Sequence, residues 1–445
     1  MAPAILRRSA VPEARCFSTH DEPTGVPRAR RVLRNMTTHS TQSAATGPLA
    51  GVRILDLTSV VLGPMATQIL GDYGAEIIKV EALEGDLMRA NGAQKADGST
   101  AGLSSIFLAI NRNKRSLAID LKKEEGRAAV RRLVAGADVF VHNMRVEAVE
   151  RLGFGYDALK ALKPDLVYCV ATGFGQEGPD RARPAFDDVI QAASGLAAVA
   201  NVYAERPDYV SSLIADKTTG LALCNAVLAA LFHRARTREG QYVETPMLET
   251  MAAFVLAEHM GGMTFEPREG GAGYARLLRG GRRPMRTKDG WLALLPYTAE
   301  HWTAFVSEIG RLDLVAVATD RVARNKHIQE LYGAMRDALE RRTTEDWLAT
   351  CDRLDIPATR LYELDDLPDH PHLAATGFFE THEHPVVGKV RMTRPPTRFE
   401  KSPAAITRHA PQLGEQTREI LGEAGLSETD VAALVESGVA RVSAR

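Results

Sequence analysis

The chain has 445 residues, of which 45% are apolar and 25% are charged, a balance typical of a globular protein long enough for two domains. Its 55 basic and 56 acidic side chains give a net charge of −1, which argues against nucleic acid as the main partner, because such binding usually shows a basic face or tail. The four cysteines form no CxxC pair and no zinc-type cluster with histidine, so we predict no metal and no structural disulfides.

Residues 1–47 differ from the rest, because they are rich in arginine and have few apolar runs. One interpretation is a mitochondrial transit peptide, although Glu13, Asp21 and Glu22 are atypical of one. The other is upstream sequence joined through a mis-chosen start codon, with Met36 opening a short lead-in to the folded domain. We favour the second, and predict a disordered leader on a cytoplasmic protein. A genuine transit peptide would place the protein in the mitochondrial matrix.

From Gly51 onwards, short apolar runs alternate with helical patterns. We predict strands at 52–57, 75–81, 116–121, 138–143 and 166–172, and helices at 65–73, 124–135, 146–152 and 156–162. This alternation predicts an α/β domain with a mostly parallel sheet. Ligands bind such sheets at the carboxyl ends of the strands. No GxGxxG follows the first strand, so a nicotinamide-type dinucleotide enzyme lacks its main sequence feature.

The longest apolar stretch, around residues 220–232, contains Asn225 and is too short to span a bilayer, so we predict no membrane partner. A loop rich in glycine and arginine at 266–283 marks the passage into a second domain. Beyond it we predict a strand at 290–295, helices at 301–309 and 327–340, a connector at 364–376, a strand at 389–392 and a helical region at 413–438.

Seven motifs then appear in order, at 51–57, 63–64, 71–81, 111–116, 138–143, 173–179 and 213–216. Together they resemble the class III CoA-transferases, the family that includes formyl-CoA transferase, carnitine CoA-transferase and α-methylacyl-CoA racemase. The resemblance implies an interlocked homodimer that uses coenzyme A as substrate and carrier. It also implies a large Rossmann-like domain (48–265), a linker with a smaller α+β domain (266–365) and a C-terminal segment returning to the large domain (366–445).

The family's nucleophile is an aspartate just before a helix rich in small residues, and Asp216 occupies that position in the segment 215–220. The alternative is that Asp216 only caps the helix by accepting a backbone N–H bond. As a nucleophile, a carboxylate splits the exchange of coenzyme A between two acids into easier steps. Asp187 matches an acidic residue near the nucleophile; its alternative role is that of an acid in the first turn of a helix.

The resemblance also assigns residues to coenzyme A. Val61 and Leu62 match positions near the thiol end, but a glutamine of the relatives is missing here. Arg151 is the strongest candidate for a phosphate contact, because guanidinium binds phosphate through two parallel hydrogen bonds. The remaining candidates line the adenine, the nucleotide or the pantetheine, or add positive charge there: Ile119, Asp120, Leu121, Lys122, Asn143, Met144 and Arg145.

Two further features bear on activity. A candidate lid that would exclude water, or alternatively a plain interdomain linker, contains Gly270, Gly271, Gly273, Gly280 and Gly281. The racemases of the family place a histidine, used as one of two bases, at the position held here by Phe186. Phenylalanine cannot move a proton, so transferase activity is favoured over an acyl-CoA racemase or epimerase. A non-catalytic CoA-binding subunit is the third alternative.

We therefore predict a CoA-transferase that moves coenzyme A from an acyl-CoA donor to a carboxylic acid, with Asp216 forming acyl-anhydride and CoA-thioester intermediates. The acids are expected to be small or dicarboxylic. Arg279, Arg282 or Arg283 would hold a second carboxylate, which would suit succinyl-CoA as the donor. The identities of the donor and the acceptor remain open.

Overall fold

The computed structural model describes residues 46–100, 102–200, 206–278 and 281–443. The predictions for residues 1–45, Arg279 and Gly280 lie outside these ranges. The strands are β1 Arg53–Leu57, β2 Glu76–Glu81, β3 Lys114–Ile119, β4 Val139–His142, β5 Val167–Thr172, β6 Tyr242–Pro246, β7 Met285–Arg286, β8 Trp291–Leu294, β9 Ala358–Arg360, β10 Phe379–His384, β11 Gly388–Thr393 and β12 Ala440–Arg441.

The helices alternate with these strands in the first part of the chain and dominate the second part. They are α1 Leu62–Asp72, α2 Ser105–Ile110, α3 Glu124–Ala135, α4 Val146–Arg151, α5 Tyr156–Leu162, α6 Asp187–Ala193, α7 Leu196–Ala200, α8 Ile214–Thr237, α9 Met247–His259, α10 Ala275–Leu278, α11 Ala299–Glu308, α12 Val315–Thr319, α13 Arg321–Lys326, α14 Ile328–Leu339, α15 Thr344–Leu354, α16 Pro371–Ala375, α17 Thr417–Glu423 and α18 Glu428–Glu436.

The largest sheet has the order β12-β3-β2-β1-β4-β5-β6 within the described residues. Its neighbouring strands are parallel except for β12, which runs antiparallel to β3. The predicted α/β fold with a mostly parallel sheet is confirmed. The strand order reverses between β1 and β4, and in sheets of this kind the crevice at that point binds ligands.

Both faces of this sheet are covered, which explains the continuous apolar runs of its strands. Successive side chains of β1 point to opposite faces. Leu55 packs with Phe140, α3 and the C-terminal helices α17 and α18, whereas Ile54 packs with Val141, α1 and α8. The helices at the end of the chain therefore complete the core around one face of the large sheet.

A second core forms around the antiparallel sheet β7-β8-β9 and the helices α11 to α15. Its largest buried side chains are Trp302, Phe305 and Trp347. The strands β10 and β11 form a separate antiparallel pair. The domain boundaries at 48–265, 266–365 and 366–445 remain predictions.

Several predicted elements differ from the observed ones. Helix α1 begins at Leu62 rather than after Pro64, because the first helical turn needs no N–H from proline. The region 413–438 is two helices separated at Gly425, whose φ of 80° ends a helix. The connector at 364–376 contains α16. Elements that were not predicted from the sequence include α2, α9, α15, β6 and β10.

Helix α8 was also longer than expected. By length and composition alone this 24-residue helix could cross a membrane, contrary to the prediction from the shorter apolar stretch, with 44% of its most apolar window buried inside the protein. It packs against α1, β5, β6 and α9. A core helix of a globular protein passes the same test, and packing accounts for the buried part of its apolar surface.

The contact between α1 and α8 depends on a glycine. A Cβ atom built on Gly220 of α8 would lie 2.7 Å from the carbonyl oxygen of Leu62 in α1. Real Cβ atoms do not approach backbone oxygen so closely, so any side chain here would push the two helices apart. Gly422 in α17 has no atom near its built Cβ.

We predict that Gly220→Ala lowers the free energy of unfolding by roughly 1–3 kcal/mol, because overpacking outweighs the gain in helix propensity. Gly422→Ala is the matched control and should stabilise the protein by up to about 1 kcal/mol. Thermal unfolding of the three proteins measures both effects. Equal stabilisation by the two substitutions would contradict the close approach of α1 and α8.

Candidate active site

The loop after β1 rests on a buried lysine. Lys114 Nζ donates to Asp56 Oδ2 at 3.1 Å and to the Pro64 carbonyl at 2.9 Å, and both charged side chains are fully buried. Asp56 Oδ1 in turn accepts from the Thr58 backbone N–H at 2.9 Å. Burial alone would raise the pKa of Asp56, but the ammonium groups of Lys114 and Lys79 outweigh burial and lower that pKa to about 2. The carboxylate is therefore charged over the whole physiological range.

A second buried pair fixes the same loop from the other side. Lys79 Nζ donates to the Thr58 carbonyl at 2.8 Å and to Asp86 Oδ2 at 2.9 Å. Asp86 Oδ1 accepts from the Val60 N–H at 3.1 Å. Val60 has a φ of 70°, a left-handed conformation that is unfavourable for a β-branched residue. The two lysine–aspartate pairs hold the loop in this strained shape.

The carboxyl ends of β1 and β4 are joined by one side chain. Asn143 Oδ1 accepts from the Ser59 N–H at 2.9 Å, and Asn143 Nδ2 donates to the Ser59 carbonyl at 2.9 Å. These bonds span the crevice where the strand order reverses. Asn143 therefore lies at the place where a ligand of this sheet would bind.

Asp216 lies in the first turn of α8, beside this crevice. The residue that caps the helix is Leu213, and no side chain makes a capping hydrogen bond, so the interpretation of Asp216 as an N-cap is wrong. The side chain is 8% exposed. No group of the described residues donates a hydrogen bond to its carboxyl, which is unusual for a buried acid.

Asp187 is a charged neighbour of Asp216. Asp187 Oδ2 accepts from the Asp216 backbone N–H at 2.9 Å, and Asp187 Oδ1 accepts from Gln191 Nε2 at 2.6 Å. Asp187 is also the first residue of α6, so both roles predicted for it apply. Burial, and to a smaller extent the charge of Asp187, raises the pKa of Asp216 to about 7.

Asp216 faces a cavity of about 350 Å³. The cavity has apolar walls, three guanidinium groups and one carboxyl group among the described residues. It is lined by Ser59, Val60, Leu62, Leu87, Asn143, Met144, Arg145, Val146, Ala171, Thr172, Gly173, Gln176, Arg181, Arg183, Pro184, Ala185, Phe186, Asp216 and Met247.

The cavity brings together Leu62, Asn143, Met144, Arg145 and Asp216 of the predicted site. The sequence did not identify Ser59, Gln176 and Arg181 as polar residues that line this cavity. For Ser59, the available indication of a place in the site was its position just after the carboxyl end of the first strand. Arg181 had none, because only the folded chain shows which cationic residues line the cavity of Asp216.

The other predicted contacts lie outside this cavity. Val61 packs with Met88 and Phe107 in a small apolar cluster. Ile119 is fully buried in the core. The remaining positions are Asp120, Leu121 and Lys122, just after β3, and the exposed Arg151, the last residue of α4.

The glycines of the candidate lid fold back on the end of α9. The Gly273 N–H donates to the His259 carbonyl at 2.7 Å, and the Gly262 N–H donates to the Gly271 carbonyl at 3.0 Å. None of Gly270, Gly271, Gly273 or Gly281 lines the cavity of Asp216.

Arg282 and Arg283 do not line the cavity of Asp216 either. They line a different cavity of about 460 Å³, together with Gly281, Leu294 and Tyr332. The described part of the chain contains no group of three or more His, Cys, Asp or Glu residues that could hold a metal ion.

No histidine lines the cavity among the described residues. Phe186, at the position of the racemase histidine, lines it and is largely exposed. The nearby His142 is fully buried, and burial lowers its pKa to about 4. Its Nε2 lies 2.9 Å from the Tyr168 hydroxyl, which indicates a structural role for this neutral ring.

A parallel sheet with a buried, unpaired carboxyl at its strand-order reversal is the architecture of an α/β enzyme. The model of CoA-transferase family III matches residues 49–417, and the chain belongs to that family, which confirms the predicted enzyme class. The chain is 32% identical to the mouse succinyl-CoA:glutarate CoA-transferase over 84% of its length and 86% of the relative's. It is 32% identical to the succinyl-CoA:mesaconate CoA-transferase of Haloarcula hispanica over 85% of this chain and 97% of that relative.

Solved structures show the same fold. A CaiB/BaiF family protein from Brucella suis is 28% identical and matches with a TM-score of 0.71 over 85% of this chain and 100% of that protein. A protein of Mycobacterium tuberculosis is 30% identical and matches with a TM-score of 0.73 over 84% of this chain and 99% of that protein.

The raised pKa of Asp216 predicts a pH-dependent cost to stability. The unfolded carboxyl titrates near 4 and the folded one near 7, so the contribution of this group to stability is full below pH 4 and is lost as the pH rises to 7. Asp216→Asn should therefore stabilise the protein on the order of 1–3 kcal/mol more at pH 8 than at pH 5. Thermal unfolding at the two pH values measures the difference.

Asp188→Asn is the control, because Asp188 is an exposed acid next to Asp187. It should shift stability by less than about 0.5 kcal/mol at both pH values. An Asp216→Asn effect that does not depend on pH would contradict a buried carboxyl that resists ionisation.

Proposed function

We propose that the protein transfers coenzyme A from an acyl-CoA thioester to a carboxylic acid through covalent intermediates on Asp216. The observation that carries this proposal is the Asp216 carboxyl itself, buried beside a cavity, without a hydrogen-bond donor among the described residues and with a pKa raised to about 7. A purely structural acid would be paired or exposed. A poorly solvated carboxylate is instead a reactive nucleophile.

In the first half-reaction the Asp216 carboxylate attacks the thioester carbonyl of the donor. The C–S bond breaks, which leaves an acyl-aspartyl anhydride and the CoA thiolate. The thiolate then attacks the aspartyl carbonyl and expels the donor acid as its carboxylate, which leaves coenzyme A bound to Asp216 as a thioester.

In the second half-reaction the acceptor carboxylate attacks the aspartyl thioester, forming a new anhydride and releasing the thiolate again. The thiolate attacks the acceptor's acyl carbonyl, and Asp216 leaves as a carboxylate. Charge and atoms balance without a proton donor, so the site needs no histidine.

Features of the site support both halves. The N-terminal turn of α8 carries a partial positive charge, which stabilises negative charge on and around Asp216. The side chains of Leu62, Met144, Phe186 and Met247 form apolar walls that favour exclusion of water from the anhydride. The loop of Ser59 and Val60 is held rigidly, which suits a site that must align two carbonyl attacks.

Coenzyme A is proposed to enter along the crevice between β1 and β4. Asn143 supports this by holding Ser59, while Met144 and Arg145 offer an apolar and a cationic surface. Asp120, Lys122 and Arg151, around the ends of β3 and α4, stay proposed contacts of the nucleotide, with Ile119 and Leu121 as their buried support.

A dicarboxylic acid is the proposed partner of the reaction. Several similar proteins are named for such pairs, among them succinate–glutarate CoA-transferase of Agrobacterium fabrum and a succinyl-CoA–L-malate CoA-transferase subunit of Chloroflexus aurantiacus. The surplus of guanidinium groups in the cavity suits acids with a second negative charge.

An acyl-CoA racemase is the alternative within the family, and Phe186 argues against it, because racemisation needs a base on each side of the α-carbon. A non-catalytic CoA-binding subunit would not need the destabilising burial of Asp216. Both alternatives predict no exchange of coenzyme A between acids.

The test incubates the protein with a panel of acyl-CoA donors and acids and follows the exchange by mass spectrometry. Asp216→Ala should reduce exchange at least about 1,000-fold, because it removes the nucleophile. Asp188→Asn serves as the control and should retain activity. Hydroxylamine added during turnover should convert Asp216 into a hydroxamate; full activity of Asp216→Ala, or a hydroxamate elsewhere, would refute the mechanism.

We also propose that the protein is an interlocked homodimer in the cytoplasm. Large apolar side chains are exposed on α8 and α9, among them Leu221, Phe232 and Phe254. Such patches mark protein–protein contacts more often than free surface.

Light scattering on the purified protein should therefore give twice the mass of the chain, because burial of these apolar side chains favours association. Replacing Phe232, which is 64% exposed, by serine is expected to weaken the dimer without unfolding the chain. A monomer at micromolar concentration would contradict the assembly.

A further inference from the structure

The cavity of Asp216 contains more positive charge than one carboxylate needs. Three arginines line it, Arg145, Arg181 and Arg183, against the single acidic residue Asp216 among the described residues. Because the pKa of Asp216 is about 7, that acid neutralises at most one of the three charges. The cavity therefore favours a ligand with several negative charges.

The three arginines are not equivalent. Arg183 Nη1 lies 3.1 Å from Asp180 Oδ1, so its charge is already partnered. Within the described ranges, the guanidinium groups of Arg145 and Arg181 make no ion pair or hydrogen bond. Arg145 precedes α4 at the end of β4, next to Asn143 on the side proposed for coenzyme A.

Arg181 also lines the cavity, and it follows a segment whose backbone is anchored at several points. The Gly175 N–H donates to Glu249 Oε1 at 2.9 Å, and the Gln176 N–H donates to Glu244 Oε1 at 2.8 Å. A turn bond from the Gly178 N–H to the Gly175 carbonyl at 3.0 Å follows. These contacts with β6 and α9 fix the backbone that leads to Arg181.

We propose that Arg181 selects dicarboxylic substrates by binding the carboxylate distal to the one that reacts with Asp216. This inference rests on the proposed function and names the residue that sets its substrate class. A guanidinium group binds a carboxylate through two parallel charge-assisted hydrogen bonds. A monocarboxylic acid would displace water from Arg181 without replacing its hydrogen bonds, so the site would discriminate against it.

The experiment compares glutarate with pentanoate, an acid of the same chain length that lacks the second carboxylate, both with succinyl-CoA as donor. In the wild type we expect a much lower KM for glutarate than for pentanoate. Arg181→Met should raise the KM for glutarate by about 10- to 100-fold, the effect of losing a charge-assisted hydrogen-bonded pair. The KM for pentanoate should stay the same or fall.

The donor is tested in the same way, because succinyl-CoA carries a distal carboxylate and butyryl-CoA does not. Arg181→Met should raise the KM for succinyl-CoA and leave that for butyryl-CoA unchanged. Arg181→Lys should restore part of the preference for glutarate. Arg183→Met removes an equal charge from the same cavity and should change the KM for glutarate by no more than about three-fold, since that arginine is already paired with Asp180.

The outcomes separate this inference from the proposed function. If Arg181→Met raises the KM for all acids and all CoA thioesters equally, Arg181 binds coenzyme A and the inference is wrong while the transferase mechanism stands. Exchange in the wild type without preference for dicarboxylic acids refutes the inference in the same way. No exchange with any acid, and no hydroxamate at Asp216, would overturn both.

Discussion

The loop between β1 and α1 is held by two lysines that are buried without access to solvent, and the site depends on them. Lys114 with Asp56 and Lys79 with Asp86 bind the loop's backbone directly. Removing one partner from a buried pair costs about 3–5 kcal/mol, because the other charge is left uncompensated. The pairs thus enforce one loop conformation, with Val60 left-handed and Leu62 against Gly220 of the helix that carries Asp216.

Asp216 shows the opposite use of burial. Its carboxyl lacks the cationic partner that Asp56 has, so burial raises its pKa rather than being offset. Burial of the Asp216 carboxylate lowers stability, and it occurs where the proposed chemistry needs a poorly solvated nucleophile. Three arginines line the same cavity, which suits the binding of substrate anions beside Asp216.

The sequence predicted the strands of the parallel sheet well, since runs such as 138–143 are apolar throughout and end in polar residues. It also predicted Asn143 and Asp216, through motifs in a fixed order. The full length of α8 was not predicted, because its apolar residues show no helical period. Arg181 was not expected to line the cavity of Asp216, and Arg282 lines a different one, because one sequence does not show which of two arginine-rich segments folds beside Asp216.

The central claim is that the Asp216 carboxylate is covalently exchanged during transfer, and isotope transfer tests it directly. An acceptor acid labelled with ¹⁸O in its carboxylates should leave one heavy oxygen in Asp216 at each turnover, because the anhydride breaks on the acceptor's side. Mass spectrometry of the peptide that contains Asp216 should show this label, and no other peptide should carry it. Continued transfer of coenzyme A with Asp216 unlabelled would contradict the account.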